Sequence, residues 1–328
     1  EGLRENKGIT DTYTVPGAAM RARAANASVR PYLDAWPVPT QPDLDANQAR
    51  RIVGNPRPTE QDFVTGRVDY TLSPSDSMFI RFNHDNSDRT DYRMTSTQVS
   101  NSKNYFTTIE ETHIFSPALL GRTHISLNRT DFGAVDAKLP GMSYPKFSFS
   151  DVEDVPGNIT ITGGFTTWGG SNTNPRYNKQ TTWQFKEDLF WTAGRHSLKF
   201  GGQWETILYN MRSDFHSAGT FVFANANDFL NSVVSNVTFT RPGSQSHRSW
   251  KQNLGGIYVQ DDVQLRPGLT LNLGVRYEAV SVPTERYGRS ATIRDITPAN
   301  LAKVTPAQTD IGPMFENPSL KNFAPRVG

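Results

Sequence analysis

Apolar and polar residues alternate with a period of two in several segments of the chain. The clearest is GGIYVQDDVQLRPGLTLNLGVRYEAV (255–280), where every second residue from Leu269 to Tyr277 is apolar and polar residues or glycine stand between them. The triplet Arg266-Pro267-Gly268 is long enough only for a tight turn between two arms. The pattern therefore predicts a long β-hairpin with one apolar and one polar face.

Further segments predict hairpins of the same kind, although Glu111 and Glu187 interrupt the more apolar row in two of them. Their arms approach the roughly 9–11 residues that a tilted membrane strand requires, whereas strands of soluble proteins average about five or six. The segments are 63–85, 107–130 and 183–205, with tight turns expected near Ser75, Pro117 and Gly194.

Long polar connections without helical periodicity separate these hairpins. Alternation of tight turns with long loops is typical of outer-membrane barrels, whose periplasmic turns are short and whose outer loops are long. The fold class predicted is all-β, an antiparallel meander forming part of a large transmembrane β-barrel. The predicted long connections are 87–104, 131–180, 210–251 and 282–322, and residues 1–61 are expected to be a further long outer loop.

Composition narrows the class of protein only a little. Lysine and arginine number 34 against 32 acidic residues, so the formal net charge of +2 gives no basic field that favours nucleic acid. There is no cysteine, which excludes disulfides and thiolate metal sites. No apolar run approaches the length of a transmembrane helix, and a mean hydropathy of -0.56 is compatible with alternating barrel strands.

The two faces of the predicted strands lead to two sets of site residues. An Arg or Lys on the lipid face near the bilayer midplane costs ~2–4 kcal/mol, so the charged face should line the lumen. The residues predicted to face the lumen are Arg67, Asp69, Arg81, Asn83, Asp85, Lys199, Gln203, Glu205, Gln260, Asp262, Asn272, Arg276 and Glu278. Those predicted to face lipid are Val68, Tyr70, Ile80, Phe82, Leu269, Leu271, Leu273 and Val275.

No pattern in the chain indicates catalysis. None of the 6 histidines stands two or four residues from another, so no metal site is expected. The pairs Glu110-Glu111 and Asp261-Asp262 would point to opposite faces of a strand and cannot act together as acid and base. Paired glycines lack the context of a nucleotide site. We expect no enzymatic activity and no cofactor.

Several short motifs, in order, resemble TonB-dependent outer-membrane transporters, and in particular the Oar-like subfamily. They are EGLRENKG, TVPGAAMRA, VRPYLDAWPVPT, FVTGRVDYTLSPSDSMFIRFNHD, GRHSLKFGGQWE, the hairpin 255–280 and NFAPRVG. The resemblance implies a barrel of about 22 strands with an N-terminal plug, importing a scarce nutrient with energy from the TonB complex of the inner membrane. This sequence shows no TonB box, plug, carboxypeptidase-regulatory-like domain or C-terminal closing strand, so it is expected to be a barrel fragment of a longer protein that meets TonB through its N-terminal part.

Alternatives stay open at this stage. A non-transporting barrel, such as an adhesin or a surface-assembly scaffold, would use the same strands and loops. A secreted β-rich enzyme or carbohydrate-binding module would need shorter strands and a convergent carboxylate cluster. The expected partners are outer-membrane lipid and a small ligand, oligosaccharide or peptide, in the bacterial outer membrane. At least eight strands are expected, with tight turns on one rim and free sheet edges near 1–10 and 320–328.

Overall fold

The structure is a computed structural model that describes residues 1–143, 157–241, 243–293, 295–302, 305, 309–316 and 319–328. In chain order the first elements are β1 (Gly2–Pro16), α1 (Ala18–Ala22), α2 (Arg30–Asp34), β2 (Gln48–Ser73), β3 (Asp76–Tyr92), β4 (Ser96–Ser116), β5 (Leu119–Lys138), β6 (Asn158–Ile161), β7 (Arg176–Ala193) and β8 (His196–Ser213). There follow β9 (Thr220–Phe223), α3 (Ala226–Leu230), β10 (Asn236–Thr238), β11 (Arg248–Arg266), β12 (Leu269–Val280), β13 (Thr284–Glu285), β14 (Ala291–Ile293), α4 (Pro298–Ala302), β15 (Thr309–Ile311) and β16 (Phe323–Val327).

The long strands form one antiparallel meander. Its order is β1-β2-β3-β4-β5-β7-β8-β11-β12-β16, and β13 pairs with β11 beside this path to complete an 11-stranded sheet. Along this path each strand is hydrogen-bonded to the strands that precede and follow it in the path. The path follows sequence order and omits the short strands that lie in loops. The predicted all-β meander, with more than eight strands, is confirmed.

The tight turns lie together on one rim of the sheet, as the sequence predicted. Backbone hydrogen bonds join each turn to the next hairpin: Ile114 N donates to Ser75 O (2.8 Å), Thr192 N to Ala118 O (2.9 Å) and Gln264 N to Arg195 O (2.9 Å). Gly194 and Gly268 sit in two of these turns at φ of 62° and 80°, a left-handed conformation that side-chain-bearing residues rarely adopt. We call this edge the short-turn rim and the opposite edge the long-loop rim.

Two of the predicted loops are largely strand. The prediction of a long outer loop over 1–61 is wrong, because β1 pairs with β2 from Gly2↔Asp62 to Pro16↔Gln48 and the connection between them is only 17–47. The predicted connection 87–104 is wrong as well, because β3 and β4 stay paired as far as Tyr92↔Thr97. Strands that extend beyond the lipid need no apolar face, so pairing continues where the hydrophobic alternation ends.

The buried apolar core of the described residues lies in the loops rather than against the sheet. Trp36 is 1% exposed, and its ring lies 6.3 Å from that of Trp168 and 5.7 Å from that of Phe229, with the latter pair edge-on. Trp168 Nε1 donates to Ala35 O at 3.2 Å. We call this cluster the loop cap; its buried members are Val15, Met20, Val29, Leu33, Ala35, Trp36, Met94, Ile159, Ile161, Phe165, Trp168, Phe223, Ala226, Phe229 and Leu230.

The loop cap gives structure to the long connections, in which the sequence shows no helical periodicity. Residues from 17–47, 157–172 and 214–235 pack on one another, and α1, α2 and α3 are helices of 5 residues each within them. Such helices are too short to show a helical period in the sequence. No described helix is long and apolar enough to cross a membrane.

The path of the sheet begins at β1 and ends at β16. In the part of the chain that the structure describes, these two strands do not pair with each other. The edges therefore fall at the positions the sequence predicted, near 1–10 and 320–328.

Candidate functional site

The strand register sorts the side chains of the sheet onto two faces. Residues directly opposite each other in an antiparallel pair point to the same face, so the face of one residue fixes the face of its partner on the next strand. One row runs Val68↔Ile80, Ile80↔Ile109, Ile109↔Ile125, Ile125↔Phe185 and Phe185↔Trp204. The row beside it runs Arg67↔Arg81, Arg81↔Thr108, Thr108↔Ser126, Ser126↔Gln184 and Gln184↔Glu205. We call these the apolar face and the polar face.

The register brings each predicted set onto one face across strands far apart in sequence. The polar face holds Arg67, Asp69, Arg81, Asn83, Asp85, Lys199, Gln203, Glu205, Gln260, Asp262, Asn272, Arg276 and Glu278. The apolar face holds Val68, Tyr70, Ile80, Phe82, Leu269, Leu271, Leu273 and Val275. The members of each set come from separate segments of the sequence, and the sheet joins them into two continuous surfaces.

Among the residues that the structure describes, none forms a second layer over the most apolar rows of the apolar face. Val68 is 67% exposed, Ile257 64% and Trp204 54%. Leu271 is half-buried by its neighbours in the sheet. A soluble sheet would cover such a surface with a second layer, because large contiguous apolar patches are rare on monomeric soluble proteins.

Ion pairs and hydrogen bonds cross-link the polar face. Arg276 Nε lies 2.6 Å from Glu278 Oε1, and Arg67 Nε donates to Asp69 Oδ2 at 2.8 Å. Gln184 Nε2 donates to Glu205 Oε2 at 3.3 Å. Three pairs of the side chains predicted to face the lumen are thus bonded to each other, Arg67 with Asp69, Gln260 with Asp262 and Arg276 with Glu278, which suits a wall that keeps its shape.

One buried carboxylate on the polar face, Asp188, is absent from the residues predicted from the sequence. Asp188 is 4% exposed, with Lys186 Nζ at 2.7 Å, and the hydroxyl of Tyr258 donates to it. Tyr258 reaches across because Gly201 separates them: a Cβ on Gly201 would lie 2.2 Å from Glu187 O and 3.1 Å from the Tyr258 ring. Polar residues at 184, 186 and 188 were the available signal, but the Glu at 187 obscured the alternation.

A pocket lies at the long-loop end of the polar face, under the loop cap. Its volume is about 480 Å³, and it is bounded by the outer ends of β1, β2 and β3 and by loop residues 166–170. We call it the mouth pocket. The loop is fixed to β1 by Thr166, whose backbone N–H donates to Thr14 O (2.9 Å) and whose Oγ1 accepts from Thr14 N (2.9 Å).

Two arginines and two aspartates from three strands line the mouth pocket, together with Arg93 from the connection after β3. Asp91 Oδ1 lies 2.7 Å from Arg89 Nη2 and 3.2 Å from Arg57 Nε, and Arg57 Nη2 is 3.8 Å from Asp11 Oδ1. Sequence reasoning missed Arg89 and Asp91 because it assigned 87–104 to a loop. It missed Asp11 and Arg57 because it assigned 1–61 to another.

Tyr13 completes the mouth pocket as a neutral donor. Burial and the nearby Asp11 carboxylate raise the pKa of Tyr13 to about 12, so its phenol is protonated at physiological pH. Asn55 Nδ2 donates to Tyr13 Oη at 3.1 Å and to Asp11 Oδ2 at 2.8 Å. Guanidinium, phenol, amide and carboxylate groups together can bind a ligand that carries both hydroxyl and carboxylate or phosphate groups.

Residues 2–328 match the model of a protein family described as "Outer membrane beta barrel domain". The chain belongs to this family. Membership in the outer membrane barrel family, with its strand arrangement, places the protein in the bacterial outer membrane. No curated protein sequence matches the chain.

Two solved transporters resemble this outer membrane barrel domain in structure. The outer membrane transporter YddB from Escherichia coli is 15% identical with a TM-score of 0.46, over 72% of this chain and 30% of that one. P. aeruginosa FpvA bound to heterologous pyoverdines is 12% identical with a TM-score of 0.46, over 87% of this chain and 37% of that one. The chain thus spans about a third of the length of either transporter.

One group of side chains on the apolar face of the barrel domain has the composition of a cation site. Asp76, Glu111 and His113 each offer a ligand atom, and these atoms lie within 4.8 Å of one another. His113 Nδ1 is hydrogen-bonded to Asp76. This group could not be recognised in the sequence, because its members come from two strands and only pairing brings them together.

Proposed function

We propose that this outer membrane barrel takes part in TonB-dependent uptake of a scarce nutrient or ligand. The observation that carries the proposal is the separation of the two faces along rows that cross six or more strands. In this proposal the apolar face contacts lipid and the polar face lines the lumen. The energetic reason is that an Arg or Lys facing lipid near the midplane would cost ~2–4 kcal/mol.

The mouth pocket is the proposed first contact for the ligand. It lies on the proposed lumen side, at the end of the strands where the long loops enclose it. Its charged groups favour a polar ligand, and a small metabolite, an oligosaccharide or a peptide would fit that chemistry. Within the proposal the chain has no catalytic role, because the carboxylates of the pocket are occupied by ion pairs with Arg57 and Arg89.

A second candidate function is a non-transporting barrel that binds partners at the cell surface. The observation that favours it is the buried core of the loop cap, which gives the outer loops a fixed shape. A fixed loop surface is what an adhesin or surface-assembly scaffold would present. Membership of this chain in the Oar-like subfamily is compatible with either function, and it is part of the proposal.

The test is a comparison of what bacteria remove from their medium. A strain lacking the protein is complemented with the complete wild-type protein, with Arg57→Ala/Arg89→Ala, or with Arg4→Ala. Arg4 is the control because it is an exposed arginine on the opposite face of the same sheet. Mass spectrometry of the spent medium then measures which compounds are depleted.

Uptake predicts that at least one compound is depleted by the wild type and by Arg4→Ala but much less by the double variant. Depletion should also stop when TonB is removed. If the deletion strain depleted the same compounds at the same rate, or if loss of TonB had no effect, transport by this protein would be refuted. Surface attachment that persisted without depletion would favour the second function.

A further inference from the structure

The apolar face becomes basic towards the long-loop rim. Tyr105 is paired with Arg129, Thr181 with Leu208, and Leu208 with Lys251. One row further out, Lys103 is paired with Asp131 and Asp131 with Lys179. The same surface that is apolar near the short-turn rim therefore carries several cations just beyond its last aromatic residues.

A cavity of about 1240 Å³ lies at this level on the same face. Its floor is formed by side chains of β4, β5, β7 and β8, including Lys103, Tyr177, Lys179 and Arg212. Register places these four residues on the apolar face, on the side away from the mouth pocket. Residues 243–247, which precede β11, form the outer wall.

The cavity wall is held to the sheet by Asp214. Ser246 Oγ donates to Asp214, and Arg212 Nη2 lies 2.5 Å from the same carboxylate. Burial acts to raise the pKa of Asp214, but the hydrogen bonds from Arg212 and Ser246 outweigh it and hold this pKa below its usual range. The Asp214 carboxylate is therefore ionised at neutral pH and binds the cavity wall through Ser246.

The described residues that line the cavity carry a net positive charge. They include four cations, Lys103, Lys179, Arg212 and Arg241, and two carboxylates, Asp131 and Asp214, so with histidine neutral their charges sum to +2. Asp131 is shared between Arg129 Nε at 3.3 Å and Lys179 Nζ at 3.6 Å. Among the described lining residues, the cations thus outnumber the carboxylates.

Gly133 keeps the floor of the cavity open. It stands between Asn101 and Tyr177 in the register, and a Cβ there would lie 2.6 Å from Asn101 Oδ1 and 3.4 Å from the Tyr177 ring. A larger side chain would project into the space that the cations surround. This position therefore offers a way to fill the cavity without changing its charge.

We propose that this cavity binds the phosphate-bearing headgroup of a lipid in the outer leaflet of the membrane. The inference rests on the proposed function in one respect, the assignment of the apolar face to lipid. A lipid whose chains lie along the apolar rows brings its headgroup to the level of Lys103 and Lys179. Lysine and arginine at this level attract anionic lipids, and phosphate accepts the charge-assisted hydrogen bonds that their side chains donate.

The position of the cavity favours a lipid over a soluble ligand. The floor residues share the face of the exposed Trp183 and Trp204, so the cavity is continuous with the surface proposed to contact lipid. Aromatic residues are enriched at the membrane interface, which sets the expected depth of the headgroup just outside them. A ligand in transit through the lumen would meet the other face of the sheet.

The experiment measures lipid binding to the complete protein, purified and delipidated in neutral detergent. The probes are lipid A, a bisphosphorylated glycolipid, and the same lipid with both phosphates removed, titrated by native mass spectrometry. The variant is Lys103→Gln/Lys179→Gln. The control is Lys7→Gln/Lys321→Gln, which removes the same charge from exposed positions outside the cavity.

Wild type and control should bind lipid A with equal affinity. The variant should bind it about 25-fold more weakly, because each lysine removed should weaken binding about fivefold. The dephosphorylated lipid should bind all three proteins equally weakly. Gly133→Leu retains every charge and should also weaken lipid A binding, which guards against a folding defect of the double variant. Retention of the folded band on an unheated gel checks assembly of each protein.

Equal binding of lipid A to the variant and the control would overturn the proposal, as would equal affinity for the dephosphorylated lipid. Displacement of lipid A by inorganic phosphate at matched concentration would overturn it too, because the site would then recognise free phosphate. The face assignment is tested separately by arginine substitutions on the apolar rows. If the lipid A experiment failed while the arginine substitutions gave the expected result, the proposed function would remain intact.

Discussion

An arginine placed at Val68 should prevent stable assembly of the barrel, while one placed at Thr65 should not. Both residues lie in β2 and are exposed, but they point to opposite faces. Val68 is 67% exposed and is paired with Ile80 in a row without charge. Thr65 is paired with Asn83 on the polar face, where Oγ1 donates to Asn83 Oδ1 at 2.6 Å.

The magnitude follows from the depth of Val68 in the proposed lipid layer. The apolar positions of β2 run from Val64 to Leu72, just before the turn, and Val68 stands at their middle. An arginine there should cost ~2–4 kcal/mol, the value for a lipid-facing Arg near the midplane. Thr65→Arg loses one side-chain hydrogen bond of about 1 kcal/mol and meets water or other polar groups.

The assay is urea unfolding of each protein in lipid vesicles, followed by tryptophan fluorescence and by mobility on unheated gels. Val68→Arg should lower the free energy of unfolding relative to Thr65→Arg by ~1–3 kcal/mol, or leave the protein unassembled. Equal effects would show that the two faces meet the same environment. A larger loss for Thr65→Arg would reverse the assignment of lipid and lumen and refute the proposed function with it.

Further outcomes are expected from other parts of the molecule. Leu271→Arg should be more destabilising than Asn272→Arg, but by only ~0–1 kcal/mol in the same urea assay, because Leu271 lies close to the short-turn rim and therefore to the membrane interface. Gly201→Val should block folding, because its Cβ would lie 2.2 Å from Glu187 O, whereas Gly8→Val, with nothing within 4 Å of its Cβ, should fold as judged by gel mobility. Trp168→Ala should remove ~3–5 kcal/mol of packing from the loop cap and expose residues 17–47 to protease. The barrel of this variant should still migrate as folded on the gel. Cleavage no faster than in the wild type would contradict the role of the loop cap. The anchoring of residues 243–247 should weaken on acidification, because the pKa of Asp214 is lower in the folded protein than in the unfolded chain. Its carboxylate stabilises the fold at pH values above the unfolded pKa, and this contribution is lost as the pH falls through the folded pKa. Hydrogen exchange of Ser246 would measure the change, and Asp214→Asn should remove the pH dependence.

The alternation of residues was enough to predict the hairpins, their turns and the two faces. A strand in lipid must place apolar residues at every second position, because each lipid-facing side chain has only hydrocarbon for contact. That constraint is local, so Leu269, Leu271 and Leu273 could be assigned from their own segment. Pro267-Gly268 and Ala193-Gly194 mark turns for an equally local reason, the backbone conformation that a tight connection requires.

The sequence could not delimit strands outside the lipid. The pairs from Gly2↔Asp62 to Pro16↔Gln48 are held by backbone hydrogen bonds, which do not depend on side-chain type. Water can satisfy either face there, so no alternation is imposed and the strand leaves no pattern. The same reason hid Arg57, Arg89 and Asp91, and with them the mouth pocket.

What the sequence by itself determined is the class of fold and, for the strands whose alternation is uninterrupted, the side that faces lipid in the proposed arrangement, since both follow from a period of two within a single segment. Only the tertiary structure decided which side chains meet. The loop cap joins Trp36, Trp168 and Phe229 from three separate connections, and the cavity on the apolar face joins Lys103, Lys179 and Arg212 from three strands. Such sites depend on register between strands, and register is set by the pairing of the whole sheet rather than by any one segment.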